Sequence, residues 1–125
     1  LSLERNGKTK RQVSVPEIVQ IVKELDPNEV FIERVGAMSG QGVTSVFSLG
    51  RTLGVLEGVV GALRIKTTLI TPLVWIRAMG VVGGKDGSRA RSMELFPEQA
   101  NLFKRVKDDG RSDASLIALW GFRHG

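Results

Sequence analysis

The chain has 125 residues, 42% apolar and 25% charged, and reads as one soluble globular domain with a single core. Its 18 Lys and Arg exceed its 13 Asp and Glu for a net charge of +5, with Arg the commoner base, which favours a polyanionic partner. Having no Cys excludes disulfides and thiolate metal sites and makes a reducing cytoplasm the expected compartment; 6% aromatic residues without Tyr argue against a stacking platform for single strands, and no uncharged apolar run is long enough to span a bilayer.

Residues 1–13 are polar and basic and read as a loop or a strand remnant. "SVPE" at 14–17 predicts a helix start: Ser14 caps, Pro16 suits the first turn, and Glu17 completes a capping box. Val15, Ile18, Val19, Ile21, Val22 and Leu25 then recur at helical spacing until "DPN" stops the helix. "EVFIERV" (29–35) predicts a buried strand, and a glycine-rich loop follows it. Residues 44–64 predict a long helix with a core stripe through Val46, Leu49, Leu53, Leu56, Val60 and Leu63. Gly50, Gly54, Gly58 and Gly61 form a second stripe. Each costs about 1 kcal/mol relative to Ala in a helix, so another backbone is expected against them. "TTLIT" (67–71) predicts a second strand and "PLVWIRAM" (72–79) a short helix. Two further helices are expected over 88–96 and 97–106, and a last one over 112–120. The order of helices and strands predicts an α/β fold with parallel pairing.

Glu33 and the aspartates of "KDDGRSDASLIALWG" (107–121) are the chemical anomalies. A charge in a buried strand is costly unless paired, and Glu33 stands where an α/β strand ends in a ligand-binding crevice. An ion pair with Arg34 or Arg51 would also account for it. Asp109 and Asp113 are four apart, so a helix puts them on one face. Capping explains Asp109 well and Asp113 less well, because Ala114, Leu116, Ile117 and Leu119 place Asp113 near the core. One carboxylate cluster holding Mg²⁺ or Mn²⁺ is the favoured reading of both anomalies. "GVVGGKD" (80–86) fails as a Walker motif, yet Lys85 on a mobile loop could touch a backbone phosphate. Arg89, Arg91, Lys104, Arg105, Lys107 and Arg111 are candidates for a DNA-facing surface. His124 reads as a tail residue. With a single His and no Gly-x-Ser-x-Gly, Ser-His triads and zinc hydrolase sites are excluded.

"VFIERVGAMSGQGVTSVFSLGRTLGVLEG" resembles the second acidic motif of the RuvC-like Holliday junction resolvases, especially their phage and prophage versions. The matching positions are Glu33, Ser45, Leu49, Gly50 and Gly54. "DDGRSDASLIALWG" resembles the family's final motif, and "GGKDGSRARSMELFP" the segment linking the two in phage versions. The resemblance covers roughly residues 14 to 121 and implies an RNase H-like mixed sheet flanked by helices. It also implies metal-dependent cleavage of four-way or otherwise branched DNA by a homodimer, without a membrane. Glu33, Asp109 and Asp113 carry over as catalytic metal ligands. Asp108 rivals Asp109, because the family's last two acids are commonly three apart and position 110 here is Gly. Ser45, which matches the family pattern, and Arg51 join Lys85 and the basic residues above as candidate DNA contacts. The family opens with a strand ending in Asp-x-Gly, which has no match here. The expectation is therefore a nuclease domain over 1–125 that lacks its N-terminal strands, and a fragment that could be inactive. The competing expectations are a non-catalytic DNA-binding or assembly module on a degenerate RNase H-like fold, and an RNase H-like nuclease acting on RNA–DNA hybrids or recombination ends.

Overall fold

The computed structural model describes residues 2–5, 8–11, 14–34, 40 and 42–125. Val35 and most of the glycine-rich loop lie outside the described residues. The element order is β1 (Ser2–Arg5), β2 (Lys8–Arg11), α1 (Val15–Leu25), β3 (Glu29–Glu33), α2 (Val43–Ala62), β4 (Lys66–Ile70), α3 (Pro72–Ala78), α4 (Gly87–Leu95) and α5 (Asp109–His124). Two 3-10 segments, Pro97–Phe103 and Val106–Asp108, join α4 to α5. The fold is α/β: helices dominate, β1 and β2 form an antiparallel pair running from Ser2↔Arg11 to Arg5↔Lys8, and β3 pairs with β4 in a small parallel sheet.

The chain divides into two compact units. The first comprises the β1–β2 pair, α1, α2 and the opening residues of β3 and β4. Here α1 starts as the sequence predicts: the Ser14 hydroxyl accepts from the Glu17 N–H at 3.5 Å, and Pro16 occupies the first turn. Asp26 closes it in the left-handed region at φ 44°, directly before Pro27. α1 packs on α2, where Val59 and Val60 are buried.

The rest of α2 departs from expectation. Val43 and Phe47 are 87% and 74% exposed, and a Cβ added at Gly50, Gly54, Gly58 or Gly61 would meet nothing within 4 Å. The backbone expected against the glycine stripe is therefore absent among the described residues. Among them, α2 is also the helix long and apolar enough to cross a membrane, with Arg51 and Glu57 inside its span.

The second unit holds the ends of β3 and β4 and everything from α3 onward. Its core is Ile70, Trp75, Met79, Leu116 and Ile117, with Phe31, Ile76, Val81, Leu95, Leu119 and Trp120 packed around it. Since β3 and β4 are parallel, Glu33 and Ile70 end at the same edge, where the Arg34 N–H donates to the Ile70 carbonyl at 2.7 Å. α3 starts two residues later, so its first turns lie beside Glu33.

The segment expected as a helix over 97–106 is 3-10 instead, interrupted at Gln99 (φ −107°, ψ 18°), with Phe103 buried against Phe96. α5 is longer than the predicted 112–120 at both ends. At its start the Ser112 hydroxyl bonds back to the Asp108 carbonyl at 2.9 Å, so Ser112 is already inside the helix. At its end the helix runs on through Gly121 to His124; Gly121 is buried, and the Phe31 ring fills the space of a side chain there.

A carboxylate site at the end of β3

Glu33 closes β3, and Asp109 and Asp113 occupy the first two turns of α5. All three belong to the second unit. Glu33 and Asp113 are half-buried and repel each other: burial first, then the Asp113 charge, pushes the Glu33 carboxyl above its ordinary range. Burial and the neighbouring Asp109 charge do the same to Asp113. Glu33 thus lies within electrostatic reach of Asp113, and Asp113 within reach of Asp109. Among the described residues, however, no three acidic or imidazole side chains converge tightly enough to form a complete metal centre.

Each acid has one donor from a neighbouring element. The Trp75 indole N–H, on α3, donates to Glu33 Oε2 at 2.6 Å. The Ser88 hydroxyl, on α4, donates to Asp113 and partly offsets its burial. The Arg89 guanidinium, also on α4, donates to Asp109 Oδ1 at 2.7 Å. The ion pair to Arg34 or Arg51 considered for Glu33 does not form among the described residues; its partner is a neutral ring. Trp75 and Ser88 escape the sequence reading, because a Trp in an apolar helix and a Ser at a helix start look like ordinary packing and capping residues. The topological signal was the helix that begins just beyond a strand parallel to β3.

Two assignments are corrected. Asp108 is not a spare ligand: its carboxyl is 2% exposed and turned away toward Arg105. It accepts the Arg105 backbone N–H at 2.9 Å and guanidinium hydrogen bonds at 3.1 and 3.3 Å, which hold its carboxyl below the ordinary value of 3.8. Asp108 favours the fold above that ordinary value, and the benefit is lost as pH falls through its depressed folded value. Asp108→Asn should therefore melt below wild type at pH 7, with the gap closing toward pH 3. Calorimetry at both pH values checks this, and a gap independent of pH would overturn the ion-pair account.

Arg89 is not DNA-facing. Its side chain is 10% exposed, and besides Asp109 it donates to the Lys104 carbonyl at 2.9 Å and to Asp86. It ties the start of α4, the 3-10 segments and α5 together. Arg91 is largely committed too, donating to the Met79 carbonyl at 2.8 Å and to Glu94 at 2.9 Å. Lys85, Lys104, Lys107 and Arg111 are exposed, and the last three flank the start of α5. Ser45 and Arg51 are exposed on α2, in the first unit. His124, read as a tail residue, stacks on Trp120 at 5.1 Å at the end of α5.

No protein-family model matches the chain. Over 82 residues, 62% of its length, the chain is 38% identical to the chloroplastic Holliday junction resolvase MOC1 of Chlamydomonas reinhardtii. The chain spans 8% of the length of that protein. The likeness supports a resolvase-like relationship and does not single out the phage RuvC type.

Proposed function

We propose that the chain is the core of an RNase H-like, structure-selective endonuclease that cuts four-way DNA junctions during recombination. One observation carries the proposal. The end of β3 sets Glu33 near Asp113 on α5, and Asp113 lies near Asp109; burial and the Asp113 charge raise the Glu33 carboxyl, while burial and the Asp109 charge raise that of Asp113. Half-buried carboxylates crowded in this way, and held by donors that leave oxygens over, fit Mg²⁺ or Mn²⁺ as hard-cation ligands. A divalent cation held there would activate a water and stabilise the leaving oxygen. Glu33 and Asp113 would be the principal ligands and Asp109, still 44% exposed, the third. Lys104, Lys107 and Arg111 would hold phosphates beside them. The likeness to a protein named as a Holliday junction resolvase supports the same substrate class.

A homodimer gives two sites for paired nicks. The exposed Val43 and Phe47 and the open glycine stripe of α2 support a second copy seated there.

The test is cleavage of a labelled synthetic four-way junction by the full-length protein with Mg²⁺, alongside flaps, linear duplex and an RNA–DNA hybrid. Paired nicks confined to the junction are expected, and preference for the hybrid would move the protein to another RNase H-like class. The incomplete carboxylate grouping among the described residues favours a second reading, a non-catalytic junction-binding or assembly module. Tight junction binding without any nicking would select it.

Either reading makes one prediction for DNA affinity. Replacing Lys104, Lys107 and Arg111 together by Ala should flatten the slope of log K against log salt by about 0.9 per lost phosphate contact. Arg91→Gln should barely change the slope, because that guanidinium is engaged internally. Equal effects of the two changes would refute the assignment of the DNA-facing surface.

A further inference from the structure

We propose that Trp75 is a positioning residue for Glu33: its indole N–H fixes one carboxylate oxygen so that the other is presented to a divalent cation. The inference rests on the metal-ligand reading of Glu33. The N–H to Oε2 distance is 2.6 Å, and the two residues are 42 apart in sequence, so the contact is made by the fold and not by local chain geometry. The ring carrying the donor is 2% exposed within the cluster of Ile70, Met79, Leu116 and Ile117.

A hydroxyl can rotate its proton and a lysine can swing its ammonium, but an indole N–H points only where the ring plane points. With the ring locked in the core, the carboxylate orientation is set by packing. The donor is also neutral. Arg in this place would orient Glu33 equally well while cancelling the charge a cation needs. Trp75 orients the carboxylate and leaves its charge available. Among the three acids Glu33 is the one on a strand, where a single side chain reaches out from the sheet edge. Asp109 and Asp113 have the rigidity of α5 behind them. Glu33 depends most on an outside restraint.

The experiment compares the full-length protein with Trp75→Phe, with a variant carrying 3-benzothienylalanine at position 75, and with Glu33→Gln. The benzothienyl ring keeps nearly the shape of indole and replaces only its N–H with sulfur, so it separates the hydrogen bond from packing. Mn²⁺ alone is the probe, with free Mn²⁺ followed by electron paramagnetic resonance. Melting temperature and junction binding in the absence of divalent cation are measured in parallel. Loss of an orienting partner of a metal ligand typically weakens metal affinity about 10–100-fold. Both Trp75 variants should show a loss of this size, with the benzothienyl protein melting like wild type and cation-free junction binding unchanged. If the benzothienyl protein binds Mn²⁺ as wild type does, Trp75 only fills space and the proposal falls, whatever Trp75→Phe does. If Glu33→Gln itself leaves Mn²⁺ binding intact, the metal-ligand reading fails first and the role of Trp75 goes with it.

Discussion

Glu33→Gln and Asp113→Asn should each lower junction cleavage by about 100-fold or more, yet raise the melting temperature of the metal-free protein. The first half follows from their place as the two crowded, half-buried carboxylates of the site: removing a ligand costs no less than the 10–100-fold typical of removing its supporting partner. The second half follows from linkage. Both carboxyls have folded-state pKa values raised by burial and by acidic neighbours. A raised carboxyl binds its proton more tightly folded than unfolded, so the fold gains stability as pH falls and carries a cost once the group ionises. That cost grows as the group ionises with rising pH, and it is absent when the carboxylate becomes an amide. The advantage of the amides should therefore be larger at alkaline pH and shrink as pH falls toward about 4, where carboxyls take up protons even in the unfolded chain. Mg²⁺ should reverse the order, raising the wild-type midpoint and leaving the variants nearly unmoved. Calorimetry at pH 8 and pH 4, in chelator and in Mg²⁺, reads all of this. If the amides melt below wild type at pH 8 in chelator, the carboxylates are structural partners and the site is misassigned.

Two residues of this candidate site stand out in the sequence. Glu33 stood out because a β-branched strand should not end in an unpaired charge, and Asp113 because four apolar residues crowd it. Both judgements need only local patterning. What stayed hidden is long-range. Arg89 reads like any other basic side chain on a polar helix, and only the tertiary placement of Lys104 and Asp109 reveals that its guanidinium is internal. Trp75 reads as core and is core; that its one polar atom faces Glu33 depends on the pairing of β3 with β4. Asp108 stood in reserve for Asp109 because position 110 is Gly, and Arg105 removes that alternative by claiming Asp108. The glycine stripe of α2 was expected to mark a close backbone, and the described residues provide none. A small-residue pattern shows that close approach is permitted without saying which backbone makes it.

Gly121→Ala should destabilise the protein by roughly 1–3 kcal/mol, the usual cost of overpacking, and lower its melting temperature on the order of 10 °C. A methyl at this position would overlap the Phe31 ring, which also meets Trp120 edge-on at 6.0 Å. Consequences for the site follow from geometry. Phe31 and Glu33 are two apart on β3 and project from the same side of the strand. Their counterparts on α5, Trp120 and Asp113, are seven apart and share a helix face. The Phe31 contact with Gly121 therefore holds the middle of β3 against α5 and sets the approach of Glu33 to Asp113. Forcing Phe31 outward should shift Glu33 and reduce cleavage well beyond what lost stability explains at a temperature where the variant is still folded. Gly110, in the first turn of the same helix, is the control. Its Cβ position is open, so Gly110→Ala should be neutral or stabilising by up to about 1 kcal/mol. Phe31→Leu in the Gly121→Ala background makes room for the methyl and should recover part of the loss. The double change would then cost less than the sum of the single ones, the non-additivity expected of residues in direct contact. Additive costs would mean that Phe31 and Gly121 do not meet, and that β3 is held against α5 by some other contact.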